Sequence, residues 1–253
     1  MTPYTVATFA ERPDLIETAE DITPKAWPEF MLNDAVANRL WDRLATDLPD
    51  YQFVLLDADK RVMAYGNSMP FVWDGHHESL RDDGWDWVLQ AGFDALDRGE
   101  QPTAASALSI SIPPQNQGKG ISRLMVEAMR DIARRHGLAD LVAPVRPNLK
   151  PRYPLTPIER YVLWTTDDGA PFDAWMRVHW RLGAVIVKPC HNSMLIEGSV
   201  AHWEKWAGMR FPETGEYVVP GTLVPVSIDR ERDTGRYVEP NVWMHHRLQT
   251  AAP

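Results

Sequence analysis

Gln115-Asn-Gln-Gly-Lys-Gly-Ile-Ser122 is the stretch on which the fold turns. Ahead of it, Thr103–Ile112 is rich in β-forming residues and closes on Pro113-Pro114, which offer no N–H to continue a ladder. Behind it, Ile121, Leu124, Met125, Ala128, Ile132 and Ala133 recur at helical spacing, which predicts a helix over 121–136 with one apolar face. Gly137 stops that helix, and Ala139–Val145 reads as the next strand, ended by Pro147. A strand, a glycine turn and a helix N-terminus make an anion site, because the turn's N–H groups and the helix dipole point at one place. Two common phosphate loops do not fit. A Walker loop needs Ser or Thr after its Lys, whereas Gly120 follows Lys119. The dinucleotide fingerprint needs a third glycine where Arg123 stands.

Working outward, Tyr4–Ala10 reads as a first strand, followed by a short acidic helix near 14–20. Asp34 is placed to cap a helix running to Leu48, with Val36, Leu40, Trp41 and Leu44 on one face. Gln52–Asp57 and Val62–Trp73 form a hairpin-like pair, and Trp85 to Leu96 carries another helical stripe. From Pro147 to Pro171 the chain is proline-rich, with one short helical piece near 158–164. A helix over 172–182, a strand over 184–188, a helix over 200–207 and strands near 223–228 and 236–244 follow.

The 253 residues, 44% hydrophobic and 24% charged, are ordinary for a globular protein. They can bury a core without staples. A single cysteine, Cys190, excludes an internal disulfide or a multi-cysteine metal cluster. Glu11, Asp14, Glu17 and Glu20 come where a signal peptide would be basic and then apolar, and no run approaches a membrane span, so the cytosol is expected. The net charge of −9 argues against nucleic acid as partner. Between Gln115 and Arg152, however, eight basic residues face three acidic ones, a local excess matched to a small polyanion. The eleven tryptophans are read mostly as core, a few as walls of an apolar ligand pocket.

Gln117-Gly118-Lys119-Gly120-Ile121-Ser122 resembles the acyl-CoA loop of the GNAT superfamily, Arg/Gln-x-x-Gly-x-Gly/Ala, with Ser122 in place of the last small residue. A second register from Gln115 also fits the letters. The resemblance runs from Tyr4 to about Lys188. It implies a mixed α/β sheet with this loop between strands four and five, the two strands being parallel neighbours. On that reading 1–253 is one domain: a core to about 198, an insertion over 147–171 after strand five, and a C-terminal extension over 199–253. The resemblance further implies acetyl-CoA or another acyl-CoA as donor, with no metal. Pantetheine would pair with Ser109, Ile110, Ser111 and Ile112, and the pyrophosphate would take N–H groups from Gln117 to Ser122. Lys119 and Arg123 would add charge. Asn148, just after strand five, is placed either to contact the cofactor or only to start the loop.

Acyl transfer needs a neutral nucleophile, a stabilised oxyanion and a proton for the departing thiolate. Where many members of the superfamily carry a proton-donating Tyr, four residues before a turn glycine, this chain has His179 ahead of Gly183. An imidazole of ordinary pKa can protonate a thiolate; a hydrogen-bonded core histidine is the equal alternative. For the acceptor, Glu29, Glu159 and Asp173 are proton relays that no spacing distinguishes. The 147–171 segment is a lid with Tyr153, Tyr161 and Trp164. His76-His77-Glu78 and His245-His246 read as exposed loop residues rather than metal ligands. The function that follows is N-acylation of a small-molecule or peptide amine. The rivals are acyl transfer to a carrier-protein thiol (or decarboxylation) and non-catalytic acyl-CoA binding.

Overall fold

A computed structural model describes residues 4–248. Its strands are β1 (Thr5–Thr8), β2 (Gln52–Leu56), β3 (Val62–Phe71), β4 (Ala104–Ser111), β5 (Asp140–Val145), β6 (Val185–Gly198), β7 (Gly215–Tyr217), β8 (Val226–Asp229) and β9 (Thr234–Arg247). The helices are α1 (Ile16–Glu20), α2 (Thr23–Ala26), α3 (Ala35–Leu40), α4 (Asp42–Asp47), α5 (Gly84–Asp97), α6 (Ile121–Arg135), α7 (Ile158–Tyr161), α8 (Ala174–Arg181) and α9 (Val200–Ala207). The strands form one mixed sheet in the order β1-β2-β3-β4-β5-β9-β8-β7, with β6 also pairing to β9. Every pairing is antiparallel except β4 with β5, which are parallel neighbours as expected. α6 makes the crossover between them.

α6 forms where its apolar repeat places it, burying Ile121, Met125, Val126, Met129, Ile132 and Ala133. Each of the Ile, Met and Val side chains contributes about 1.5–3 kcal/mol on leaving water, and the Ala133 methyl about 0.8 kcal/mol. The helix ends at Gly137 (φ 74°), where the Leu138 N–H reaches back to the Ala133 carbonyl at 3.0 Å. Its apolar face packs on β3 and β4, while α5 packs on β3 and β6.

Two expectations about element boundaries change, and one about the inserted segment. The helix foreseen from Asp34 to Leu48 starts with the expected cap, Asp34 accepting the Ala37 N–H at 2.8 Å. It then breaks at Trp41 into α3 and α4. The break lays the Trp41 ring on Trp85, centroids 6.0 Å apart and 19° from parallel. The segment read as an extension beyond residue 198 is the other correction. β9 enters the middle of the sheet and pairs with β5 from Asp140↔Arg247 to Val145↔Val242. It also pairs with β6 from Val185↔His245 to Gly198↔Gly235. With a partner along its whole length, β6 runs to Gly198 instead of stopping at Lys188. The 147–171 segment is a packed element rather than a lid. Tyr153, Tyr161, Trp164 and Phe172 cluster edge to face, and Lys150 ties it down by donating to the Leu223 carbonyl at 2.6 Å.

Candidate active site

The glycine loop is built by its own short-range geometry. Residues Pro114–Asn116 form a 3₁₀ turn, and Asn116 anchors it by donating to the Met63 carbonyl at 3.0 Å. Gly118 and Gly120 both sit at φ 75°, a conformation that other residues reach only with strain. No atom lies within 4 Å of where a Cβ would stand at either position. That open side faces a cleft of about 590 Å³. Ile110, Ile112, Gln117, Gly118, Gly120, Ile121, Ser122 and Asn148 all line it, joined by Asn116, Arg146 and Trp175, which the sequence did not suggest. Two glycines at the N-terminus of a fifteen-residue helix, with room above them, fit a pyrophosphate.

Three of the expected donor contacts lie elsewhere. Lys119 turns back to Asn116 Oδ1 at 3.3 Å, and Arg123 pairs with Glu127 at 2.9 Å on the exposed side of α6. The Ser111 hydroxyl is buried against Trp27, whose Nε1 donates to it at 2.8 Å. None of the three side chains lines the cleft.

Beyond the loop, β4 and β5 separate. They are in register at only two pairs, Ala105↔Leu141 and Ser106↔Val142. β4 also bulges at Leu108, where its register against β3 shifts. Past that point Ala107–Ile110 and Ala143–Arg146 form opposite walls of a second cavity of about 70 Å³. This gap shares Ile110, Arg146 and Trp175 with the cleft. On its other side it shares Trp27, Met31, Trp85, Leu108 and Met194 with a third cavity of about 260 Å³. The three spaces thus adjoin one another through shared walls, with the gap between the strands in the middle.

The gap has a polar floor. Arg146 follows β5, and its Nε donates to both carboxylate oxygens of Glu239 at 3.0 and 2.9 Å, its Nη2 to the Gly221 carbonyl at 2.6 Å. Glu239 is fully buried on β9 and also accepts from the Tyr237 hydroxyl (2.9 Å) and Asn241 Nδ2 (3.1 Å). Asn241 in turn accepts from Ser193 at 2.7 Å. Burial works against the Arg146 charge, but the Glu239 carboxylate more than offsets it and raises the guanidinium pKa. Both carboxylate oxygens of Glu239 accept hydrogen bonds, so its role here is to position Arg146.

His179 lines the same gap from α8. It is 1% exposed, and its Nδ1 lies 2.9 Å from Nε2 of His246. Burial pushes His179 down to about 3 and His246 to about 2, so both rings are neutral near pH 7. The expectation of an imidazole with an ordinary pKa is thereby corrected: the resting enzyme presents a neutral ring here, not a cationic acid. His245 and His246 are buried on β9 rather than exposed in a loop. His245 bridges His77 (2.9 Å) and Asp140 (2.7 Å).

The three carboxylates expected as relays do not line these spaces. Asp173 caps α8, accepting from Trp175 N and Met176 N, and takes the Tyr161 hydroxyl at 2.9 Å. Glu159 pairs with His191, and Glu29 faces Lys205 at 3.9 Å. A different carboxylate pair sits behind the third cavity. Asp34 Oδ2 and Asp86 Oδ1 are buried, and the two carboxyls lie within hydrogen-bond reach of each other, an arrangement that a proton on one of them satisfies. Burial raises the pKa of both carboxyls. Among the described residues no group of three or more His, Cys, Asp and Glu is arranged to hold a metal, and no helix is long and apolar enough to cross a membrane.

A glycine loop at a helix N-terminus, opening onto a gap between parallel strands, is an arrangement suited to an acyl-CoA-dependent transferase. No family model matches the chain. The arginine N-acetyltransferase avaD of Aspergillus versicolor is 31% identical over 276 residues, spanning 97% of this chain and 94% of that protein. Among solved structures, the loading GNATL domain of CurA from Lyngbya majuscula superposes with a TM-score of 0.65 at 16% identity. The GphF GNAT-like decarboxylase in complex with isobutyryl-CoA does so at 0.54 and 17%. Each covers 98% of this chain and 100% of its own, and at these identities the likeness is one of fold. The chain belongs to the GNAT superfamily, as an acyl-CoA-dependent N-acyltransferase whose acceptor is an amine.

Proposed function

We propose that this chain transfers an acetyl group from acetyl-CoA to a nitrogen of a small cationic acceptor, directly and without a covalent enzyme intermediate. The observation that carries the reading is the row of adjoining spaces from the glycine-loop cleft, past the gap between β4 and β5, to the 260 Å³ cavity, each sharing walls with the next. The donor would lie in the cleft, with its phosphates on Gln117, Gly118, Gly120, Ile121 and Ser122 and its pantetheine along Ser109, Ile110 and Ile112. The thioester would reach the gap, and the acceptor would approach from the opposite side. In the transfer a C–N bond forms as the C–S bond breaks, the nitrogen loses a proton and the thiolate gains one. His179 is the group we assign to that proton. The assignment is supported by its place: His179 lines the gap, and the other ionisable side chains there, Arg146 and Glu239, are held by each other.

Arginine is the first acceptor to try, since the 31% identical relative is named for it. We read 1–253 as one domain, supported by the single sheet that holds all nine strands. We place it in the cytosol, an assignment supported by the lone, buried and unpaired Cys190.

The test is release of free CoA from acetyl-CoA in the presence of a panel of amines, with His179→Ala alongside. Wild-type turnover with at least one amine is expected. The variant should fall by roughly 10²–10⁴-fold in kcat while its affinity for CoA holds. A folded His179→Ala with near-normal turnover removes that residue from the chemistry. No turnover with any amine, but turnover with a carrier-protein thiol, replaces the acceptor class.

A further inference from the structure

The third cavity has a composition that selects among amines. Its walls are carbon: Trp27, Met31, Trp41, Trp85, Leu108 and Met194. Two of the indole N–H groups are already engaged, Trp27 Nε1 by Ser111 and Trp85 Nε1 by the Leu108 carbonyl at 2.9 Å. Those rings therefore offer only π-faces and edges to an occupant. Trp41 and Trp85 both line it and stack on each other, so the aromatic part of the wall is held in place. Among the described residues, polar lining is confined to Thr23, Asn38, Ser109 and Asp42, and no Lys, Arg or His lines this cavity. The one cation bordering the adjoining gap, Arg146, is already clasped by Glu239.

A free amino acid would have to leave its carboxylate in this space without a cation and near the Asp42 carboxylate. The desolvation and the repulsion both act against it. A flat apolar group, by contrast, gains on entering. We propose that the cavity receives the non-reacting part of the acceptor, and that this part is an apolar, aromatic body carrying no free carboxylate. The substrate class is thus an amine or guanidine borne on an arylamide-like or otherwise capped scaffold, with its nitrogen directed into the gap between β4 and β5. This rests on the reading of the chain as an amine acyltransferase and narrows it.

The experiment uses the wild-type protein, acetyl-CoA and matched acceptor sets: L-arginine, L-argininamide and L-arginine β-naphthylamide, with the same three forms of lysine and phenylalanine. Within a set the amino group and side chain stay constant while the carboxylate is removed and then an aromatic body is added. In at least one set kcat/KM is expected to rise from acid to amide to arylamide. The last step should be about tenfold or more, the ratio that burial of only about 60 Å² of added apolar surface produces. Trp41→Ala, a change at a partly exposed wall, should erase that last step and leave the KM for acetyl-CoA unchanged. Free acids equal to or better than their arylamides in every set overturn the proposal, as does an arylamide preference that Trp41→Ala leaves intact. Absence of CoA release with all nine acceptors overturns the amine-transfer reading itself, and the two failures are distinguishable.

Discussion

Glu239→Gln isolates what the buried floor of the active site contributes. Glu239 is fully enclosed and Arg146 has 16% of its side chain exposed, so little water can replace the lost charge. The amide keeps the shape of the carboxylate, but it turns one acceptor into an NH₂ that must face the Arg146 Nε–H together with either Asn241 Nδ2 or the Tyr237 hydroxyl. That hydroxyl already accepts the Leu223 N–H at 2.9 Å. Breaking a buried pair from one side costs about 3–5 kcal/mol, because the remaining charge stays buried and unmatched. For a chain of this size each kcal/mol moves the melting temperature by about 2–4 °C, so a fall of roughly 6–20 °C is expected. The double variant Arg146→Gln with Glu239→Gln removes both charges. It should recover part of the loss, giving a coupling of at least about 1 kcal/mol in a urea-unfolding cycle. A loss below about 1 kcal/mol for Glu239→Gln, or strict additivity in the cycle, would refute the argument that the pair is held by charge.

Gly120→Glu places a side chain at φ 75° in the open mouth of the donor cleft, with negative charge where a pyrophosphate is expected. Calorimetry should show CoA binding lost in a folded protein, and unchanged affinity would move the donor site elsewhere. Stability should also depend on pH along two limbs. Burial holds His179 near 3 and His246 near 2, below their unfolded value of about 6.5. Their contribution is therefore whole above pH of about 6.5 and is lost as pH falls through those values. Asp86 behaves oppositely, because burial and then the Asp34 charge push its carboxyl up to about 8. Its contribution is whole below the unfolded carboxyl value of about 3.9 and drains away as pH rises through about 8. Asp86→Asn should flatten the alkaline limb in melting scans, and an unaltered limb would show that Asp86 is ionised in the folded protein at neutral pH.

How much of this was legible in the sequence follows from how far apart the interacting residues lie. The glycine loop, α6 and the Gly137 stop are local: each is decided by residues within a few positions, and the chain spells them out. The helix break at Trp41 carries no proline or glycine to announce it, and its reason, the stack on Trp85, lies 44 residues away. The Arg146–Glu239 and His179–His246 contacts span 93 and 67 residues, and neither shows in any spacing. One signal was available and not followed far enough. The strand foreseen over 236–244 continues to Arg247, and extending it would have moved His245 and His246 from a loop into the sheet.

That strand also explains why the polar floor could not be read from the motif-bearing half of the chain. β9 supplies Glu239 to Arg146, Asn241 to Ser193 and His246 to His179, while its backbone fills the space between β5 and β6. The donor loop and the gap walls come from residues 104–148, yet the groups that neutralise and orient the side chains in the gap arrive about a hundred residues later. Until β9 is in place, Arg146 lacks its carboxylate and His179 lacks the ring that fixes its orientation. Completing the sheet and completing the chemistry are therefore one event in this protein. A substitution that loosens β9 should consequently cost turnover even where the glycine loop still binds CoA.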